Sequence, residues 1–206
     1  MSIITVSREF GSGGREVGKR LADALGYAYY DREIVSEIAR KTSLDEGYVA
    51  GALEGGLFRR VPIHFGRTFS YSPVLMTGTA NLYVQQHKII RELAQKGDCV
   101  IVGRAADAIL KEYRPFNLFV YADMPSKVAR CRERGAQEEV LTERELIRQI
   151  KKVDGERAKY YEMFSNTHWG QKEGYHLCVN TTGHEIKGMI PGLVGYIRGW
   201  MESQKR

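Results

Sequence analysis

Chemistry in this chain starts with FGSGGREVGKRLADALG, residues 10–26. Gly13, Gly18 and Lys19 have the spacing of a phosphate-binding glycine loop, but Arg20 stands where that loop carries Ser or Thr. In such a loop the lysine sits where the helix begins, directly behind the first strand. With Gly13 as the first glycine, Lys19 lies a turn inside the helix marked by Val17, Leu21 and Leu25. A different register satisfies the geometry. Gly11, Ser12, Gly13 and Gly14 form the turn, and Arg15 and Glu16 open the helix. Glycines at this density let several N–H groups point inward, and a helix N-terminus adds about half a positive charge behind them. Arg15 then supplies the side-chain cation, with Lys19 in reserve for the literal pattern. The bland alternative is a tight strand–helix turn, which the adjoining basic residue argues against.

Other residues could share that chemistry. Arg130 and Arg134 stand at i and i+4, on one helical face, and Arg157 follows one helix later. Moving a phosphoryl group asks for positioning and neutralised charge more than for covalent work, which suits such arginines. Nearby Glu133, Glu138 and Glu139 make a solvated face the alternative. Asp31 and Arg104 each follow a strand, at the edge where open α/β sheets bind ligands. Asp31 also reads as an N-cap for the helix beginning near Arg32. Arg59, Arg60 and Arg67, among Phe58, Phe65, Phe69 and Tyr71, offer cations for an acceptor phosphate and rings for a base. The same segment could pack a dimer interface or hold single-stranded nucleic acid. The five His and three Cys show no ligand spacing, so no metal ligand is assigned. Trp169 and Trp200 read as packing residues.

The elements that must position these groups alternate along the chain. Apolar runs at Ile3–Val6, Tyr27–Tyr30, Cys99–Gly103, Leu118–Ala122 and Leu177–Asn180 predict five strands. The continuous runs CVIVG and LFVYA suit buried parallel strands. Helical patterns lie between them, with capping boxes at Ser43–Glu46 and Thr142–Glu145, a long helix over 74–95, and a last helix containing Pro191. From Gly55 to Pro73 periodicity vanishes, the mark of a functional loop. The expectation is one doubly wound α/β domain over residues 1–206. Its 206 residues suffice for one core, and its net charge of +6 favours anionic partners. The N-terminus shows no secretory or membrane-spanning run, and the sparse Cys suit a reducing cytoplasm.

With these motifs quoted, a resemblance is visible. SREFGSGGREVGKRLADALGYAYYD, VIVGRAADAIL, LFVYADMPSKVARCRERG and IKKVDGERAKYY resemble, in order, elements of the cytidylate kinase-like family. The resemblance implies a three-layer P-loop kinase fold with a five-stranded parallel sheet, a helical acceptor-binding insertion at 43–95 and a lid at 135–142. It implies transfer of the γ-phosphoryl of ATP, with Mg2+, to a nucleoside monophosphate, CMP or dCMP first. Residues 11–16 then bind ATP; Arg15, Arg130, Arg134 and Arg157 act on the transferring group; Asp31, Arg104 and Asp154 join Arg59, Arg60 and Arg67 at the acceptor. Three departures from the family pattern stand out. Gly14 or Arg15 replaces the loop lysine, Glu16 or Val17 replaces the Ser/Thr, and Val102 and Ala105 replace acidic residues beside Arg104. On those departures rests the alternative of a nucleotide-binding regulatory protein with little turnover. A kinase of another small acceptor is a further one, and a nucleic-acid-binding module ranks last.

Overall fold

The computed structural model describes residues 1–54, 73–134 and 141–204, the side chains at 51, 52, 54, 73–80 and 134 excepted. Among these residues β1 (Ile3–Arg8) leads through the glycine turn to α1 (Gly14–Leu25), which Gly26 ends in a left-handed conformation. Then come β2 (Ala28–Tyr30), α2 (Glu33–Thr42), α3 (Glu46–Glu54) and α4 (Pro73–Gln95). The middle of the chain supplies β3 (Cys99–Val102), the short α5 (Ala106–Ile109), β4 (Phe116–Tyr121) and α6 (Met124–Arg134). It closes with α7 (Glu143–Glu162), β5 (Leu177–Asn180) and α8 (Ile186–Ser203), with Pro191 inside the last helix.

The five strands form one parallel sheet in the order β2-β3-β1-β4-β5. Because successive side chains alternate, β1 feeds two cores. Ile4 and Val6 join Val100 and Val102 under Val17 and Leu21 of α1 and Ile190 and Ile197 of α8. Ile3 joins Cys99 and Ile101 on the other face, against Ile34 and Ile38 of α2 and Ile89 and Ile90 of α4. A small third cluster, Val128, Leu146 and Ile150, joins α6 to α7. Each large side chain so buried contributes about 1.5–3 kcal/mol, so the sheet's C-terminal edge is a fixed platform.

Several details differ from the sequence reading. β1 continues past Val6 to Arg8, because Ser7 and Arg8 stay in register with Phe119 and Val120 of β4. The Ser43 cap does not form: Ser43 ends α2 in a left-handed conformation, and the Tyr48 N–H donates to Asp45 Oδ1 instead. The Thr142–Glu145 capping box is present in full. α3 and α4 occupy the described parts of 43–95, while residues 135–140 of the expected lid lie outside the described residues. No described helix is long and apolar enough to cross a membrane.

Candidate functional site

The glycine turn is held from below by a charge network. Gly11 and Gly13 take φ of 77° and 81°, and Gly13 caps α1 with its carbonyl accepting the Val17 N–H at 3.0 Å. Ser12 is buried, and its hydroxyl donates to the Glu9 carbonyl at 2.8 Å. Lys127, nearly inaccessible at 6% side-chain exposure, reaches Glu9 at 2.6 Å and Asp154 at 3.3 Å. The same carboxylates hold backbone: Asp154 Oδ1 accepts the Phe10 N–H at 2.6 Å, and Glu9 accepts that of Ala122 at 3.2 Å. Burial pushes the Asp154 carboxyl up, while the Phe10 N–H and Lys127 pull it down. On another side Thr181 donates to the Ser12 carbonyl at 2.8 Å. Arg130 clasps that loop, donating to the carbonyls of Thr181 at 2.5 Å and His184 at 3.2 Å.

A small cation-rich cleft opens beside the turn, lined among others by Arg8, Arg104, Arg157, Tyr160 and Trp169. Arg8 ends β1 on the face that carries Ile4 and Val6, so it continues that row to the N-terminus of α1. Its guanidinium lies 3.9 Å from Asp31. Asp31 is buried and also paired with the Nε of Arg15. Arg157 donates to the Arg8 carbonyl at 3.0 Å, lies 3.6 Å from Asp154 and covers the Phe10 ring. After β3 the backbone runs through left-handed conformations at Gly103, Arg104 and Ala105, with φ of 74°, 61° and 50°. For the two non-glycine residues that conformation costs energy and marks functional sites. The Arg8 guanidinium is pushed down to about 9, first by burial, then by Arg157; Asp31 opposes this, and Arg104 and Arg15 add to it. An arginine holds its proton in such a site, so Arg8 stays a cation there.

The structure sorts the expected residues. Arg104 and Arg157 line the cleft, and Asp31 lies 3.9 Å from Arg8, which lines it too. Gly11 to Gly14 form the turn in the second register. Lys19 lies on the exposed face of α1, pairing with Asp23 at 2.5 Å and lying over Tyr29. Glu16 pairs with Arg20 at 2.8 Å along the helix surface. Arg15 leans to Asp31 rather than over the turn. Arg130 braces the loop after β5 instead of facing Arg157, and Asp154 braces Phe10 instead of lining the cleft. Asp31 caps no helix, since Arg32 precedes α2 without a side-chain cap. Arg59, Arg60 and Arg67 and the side chain of Arg134 lie outside the described residues.

Arg8, Lys127 and Glu9 are the residues that sequence reasoning missed. The available signal for Arg8 was the alternation Ile4–Val6–Arg8, had the strand been extended. Among the described residues no group of His, Cys, Asp or Glu is arranged to hold a metal by itself. Mg2+ needs less than that, because it keeps several waters and is commonly bound through one or two carboxylates plus substrate phosphates. The buried carboxylate nearest the turn, Asp31, is already paired with Arg15 and lies 3.9 Å from Arg8.

Comparison with known proteins places this geometry in context. The sequence pattern of the cytidylate kinase-like family matches residues 3–183. An uncharacterized protein from Eubacterium ventriosum ATCC 27560 shares the fold at a TM-score of 0.69 and 24% identity, over 96% of this chain and 99% of that one. Shikimate kinase from Bacteroides thetaiotaomicron aligns at a TM-score of 0.59 and 15% identity, over 98% of each chain. Shikimate kinase from Acinetobacter baumannii in complex with shikimate aligns at 0.55 and 15%, over 97% of this chain and 94% of that one. Among curated proteins none matches this chain. These likenesses establish the P-loop kinase fold.

Proposed function

The chain belongs to the cytidylate kinase-like family, and from that premise we propose that it transfers the γ-phosphoryl group of ATP to a small anionic acceptor, a nucleoside monophosphate. One observation carries the reading: a glycine turn at a helix N-terminus abuts a cleft where Arg8, Arg104 and Arg157 gather near Asp31. The turn's N–H groups and the helix terminus suit the donor phosphates. Arg104 and Arg157 suit an acceptor phosphate and the charge of the moving group, which electrostatic preorganisation stabilises without covalent help. Asp31, buried and held by Arg15, is placed to orient the attacking oxygen. Mg2+ is the cofactor of the reading; bound, it would neutralise charge on the donor phosphates and be held chiefly by those phosphates and water.

CMP and dCMP are the first acceptors to try. The arginine cleft favours a second class as well, because guanidinium groups pair with carboxylates as readily as with phosphates. A hydroxylated carboxylate, such as the shikimate bound by a neighbour of the same fold, is therefore the alternative acceptor. The test is ADP release from purified protein with ATP and Mg2+, over a panel of nucleoside monophosphates, their deoxy forms and shikimate. Turnover with CMP or dCMP is the expected result. Turnover with shikimate alone moves the acceptor to the carboxylate class. ATP binding without turnover on any acceptor leaves a regulatory nucleotide binder.

A further inference from the structure

The first residue of α1 carries no side chain, and the reason lies in β1. A β-carbon added at Gly14 would overlap that of Arg8 and stand 2.9 Å from its Cγ. Farther along the same side chain, a β-carbon at Gly103 would overlap an Arg8 terminal nitrogen and lie 2.6 Å from its Cζ. Two glycines from distant parts of the chain thus clear one path, and Arg8 fills it. In a P-loop the residue at the start of this helix is the lysine that reaches the β- and γ-phosphates. Here the stem of Arg8 occupies the space into which a side chain at position 14 would project.

We propose that Arg8, entering from the end of β1, is the phosphate-binding cation of this loop and takes the place of the absent lysine at the β- and γ-phosphates of the donor. The assignment rests on the kinase reading above and names the residue that makes the altered loop competent. Four observations agree on it. The side chain is 12% exposed, so it is not a solvated surface charge. Its stem passes the first residue of α1, and its guanidinium lies against Gly103 and 3.9 Å from Asp31. Its backbone carbonyl is fixed by Arg157, which lines the same cleft. Arg15, the cation nearest in sequence, is turned away to Asp31. A guanidinium also suits this task chemically, because its planar fork can hold two phosphate oxygens at once.

The test exchanges the two positions. Calorimetry measures binding of ATP and of a non-hydrolysable ATP analogue, with circular dichroism and thermal melting of every variant alongside. Arg8→Gln is expected to weaken ATP by about 30-fold, the worth of a charge-assisted contact to a phosphate. Its melting temperature should hold or rise, since a buried like-charged group is removed. Gly14→Lys alone should lose ATP binding and melt lower, because the new side chain meets Arg8. The double variant Arg8→Gly with Gly14→Lys should recover ATP affinity to within about 10-fold of the wild type, since it rebuilds the ordinary loop.

Arg8→Gln with wild-type ATP affinity overturns the assignment while the kinase reading stands. So does a double variant no better than Gly14→Lys alone, provided it folds. An Arg8→Gln protein that keeps ATP affinity and loses only acceptor affinity moves Arg8 to the acceptor side and equally overturns it. Wild-type protein that binds no ATP at all sinks the assignment together with the kinase reading.

Discussion

Two clusters of charge flank the end of β1, and they follow opposite rules. Toward α6 and α7, Lys127 is matched by Glu9 and Asp154, and both carboxylates also accept backbone N–H groups of Phe10 and Ala122. Toward β2 and β3, Arg8 feels Arg157, Arg104 and Arg15 against the single carboxylate of Asp31. Buried charge is tolerated when it is paired and hydrogen-bonded, and the first cluster meets that condition. The second does so only in part. The two clusters thus differ in composition: the first fixes the backbone of the turn, and around Arg8 the neighbouring cations outnumber the carboxylate of Asp31. Arg157 belongs to both, lying 3.6 Å from Asp154 and bonded to the carbonyl of Arg8.

The largest expected effect comes from breaking the balanced side. Asp154→Ala leaves the Phe10 N–H and half of Lys127 without a partner, and should cost about 3 kcal/mol in urea unfolding, with activity falling alongside. A loss below about 1 kcal/mol would mean that the network does not hold the turn. On the cationic side the pattern should invert. Arg104→Gln is expected to lower kcat/KM for the acceptor about 100-fold, roughly 2.7 kcal/mol of transition-state stabilisation. Its unfolding free energy should move by less than about 0.5 kcal/mol. If instead stability falls and turnover survives, the two clusters do not differ in kind.

A smaller effect sharpens the same contrast without mutating either cluster. Inorganic phosphate at about ten times its dissociation constant should stabilise the protein by about 1.4 kcal/mol through binding to the folded state alone. Chloride at equal ionic strength should not. Arg157→Gln should reduce the phosphate effect, and a variant that keeps it in full would show that the anion binds elsewhere. The readout is the shift in melting temperature across a phosphate titration.

How far all this could be read in the sequence depends on the range of the interaction. Strands such as CVIV and LFVY declare themselves because burial on both faces demands continuous apolar runs. The turn was legible because its glycines are local. β1 was cut short at Val6, since hydrophobicity ends there, although pairing with β4 carries the strand to Arg8. That early end hides Arg8, the residue proposed above to replace the lysine. Its path is defined by Gly14 and Gly103, which become neighbours only when α1 and β3 stack on β1. The bracing role of Asp154 is hidden for a similar reason: its partners Phe10 and Lys127 come from other elements, and no spacing within α7 announces them. Helix α5 escaped because four residues are too few for a period.

Lys19 gives the smallest effect and the sharpest check on the loop's register. By pattern it is the P-loop lysine; by position it is an ordinary surface charge. It stands a turn inside α1 with its side chain 56% exposed, paired at i,i+4 with Asp23 and lying over the Tyr29 ring. Exposed helical pairs contribute about 0.3–0.5 kcal/mol. Lys19→Ala should therefore leave kcat/KM within about twofold and stability within about 0.5 kcal/mol of the wild type. A loss near 100-fold would restore the literal glycine–lysine pattern and remove the need for a cation from β1. Near-wild-type turnover would mean that spacing alone misidentifies the lysine here, and that a cation counts only where the fold brings it to the cleft.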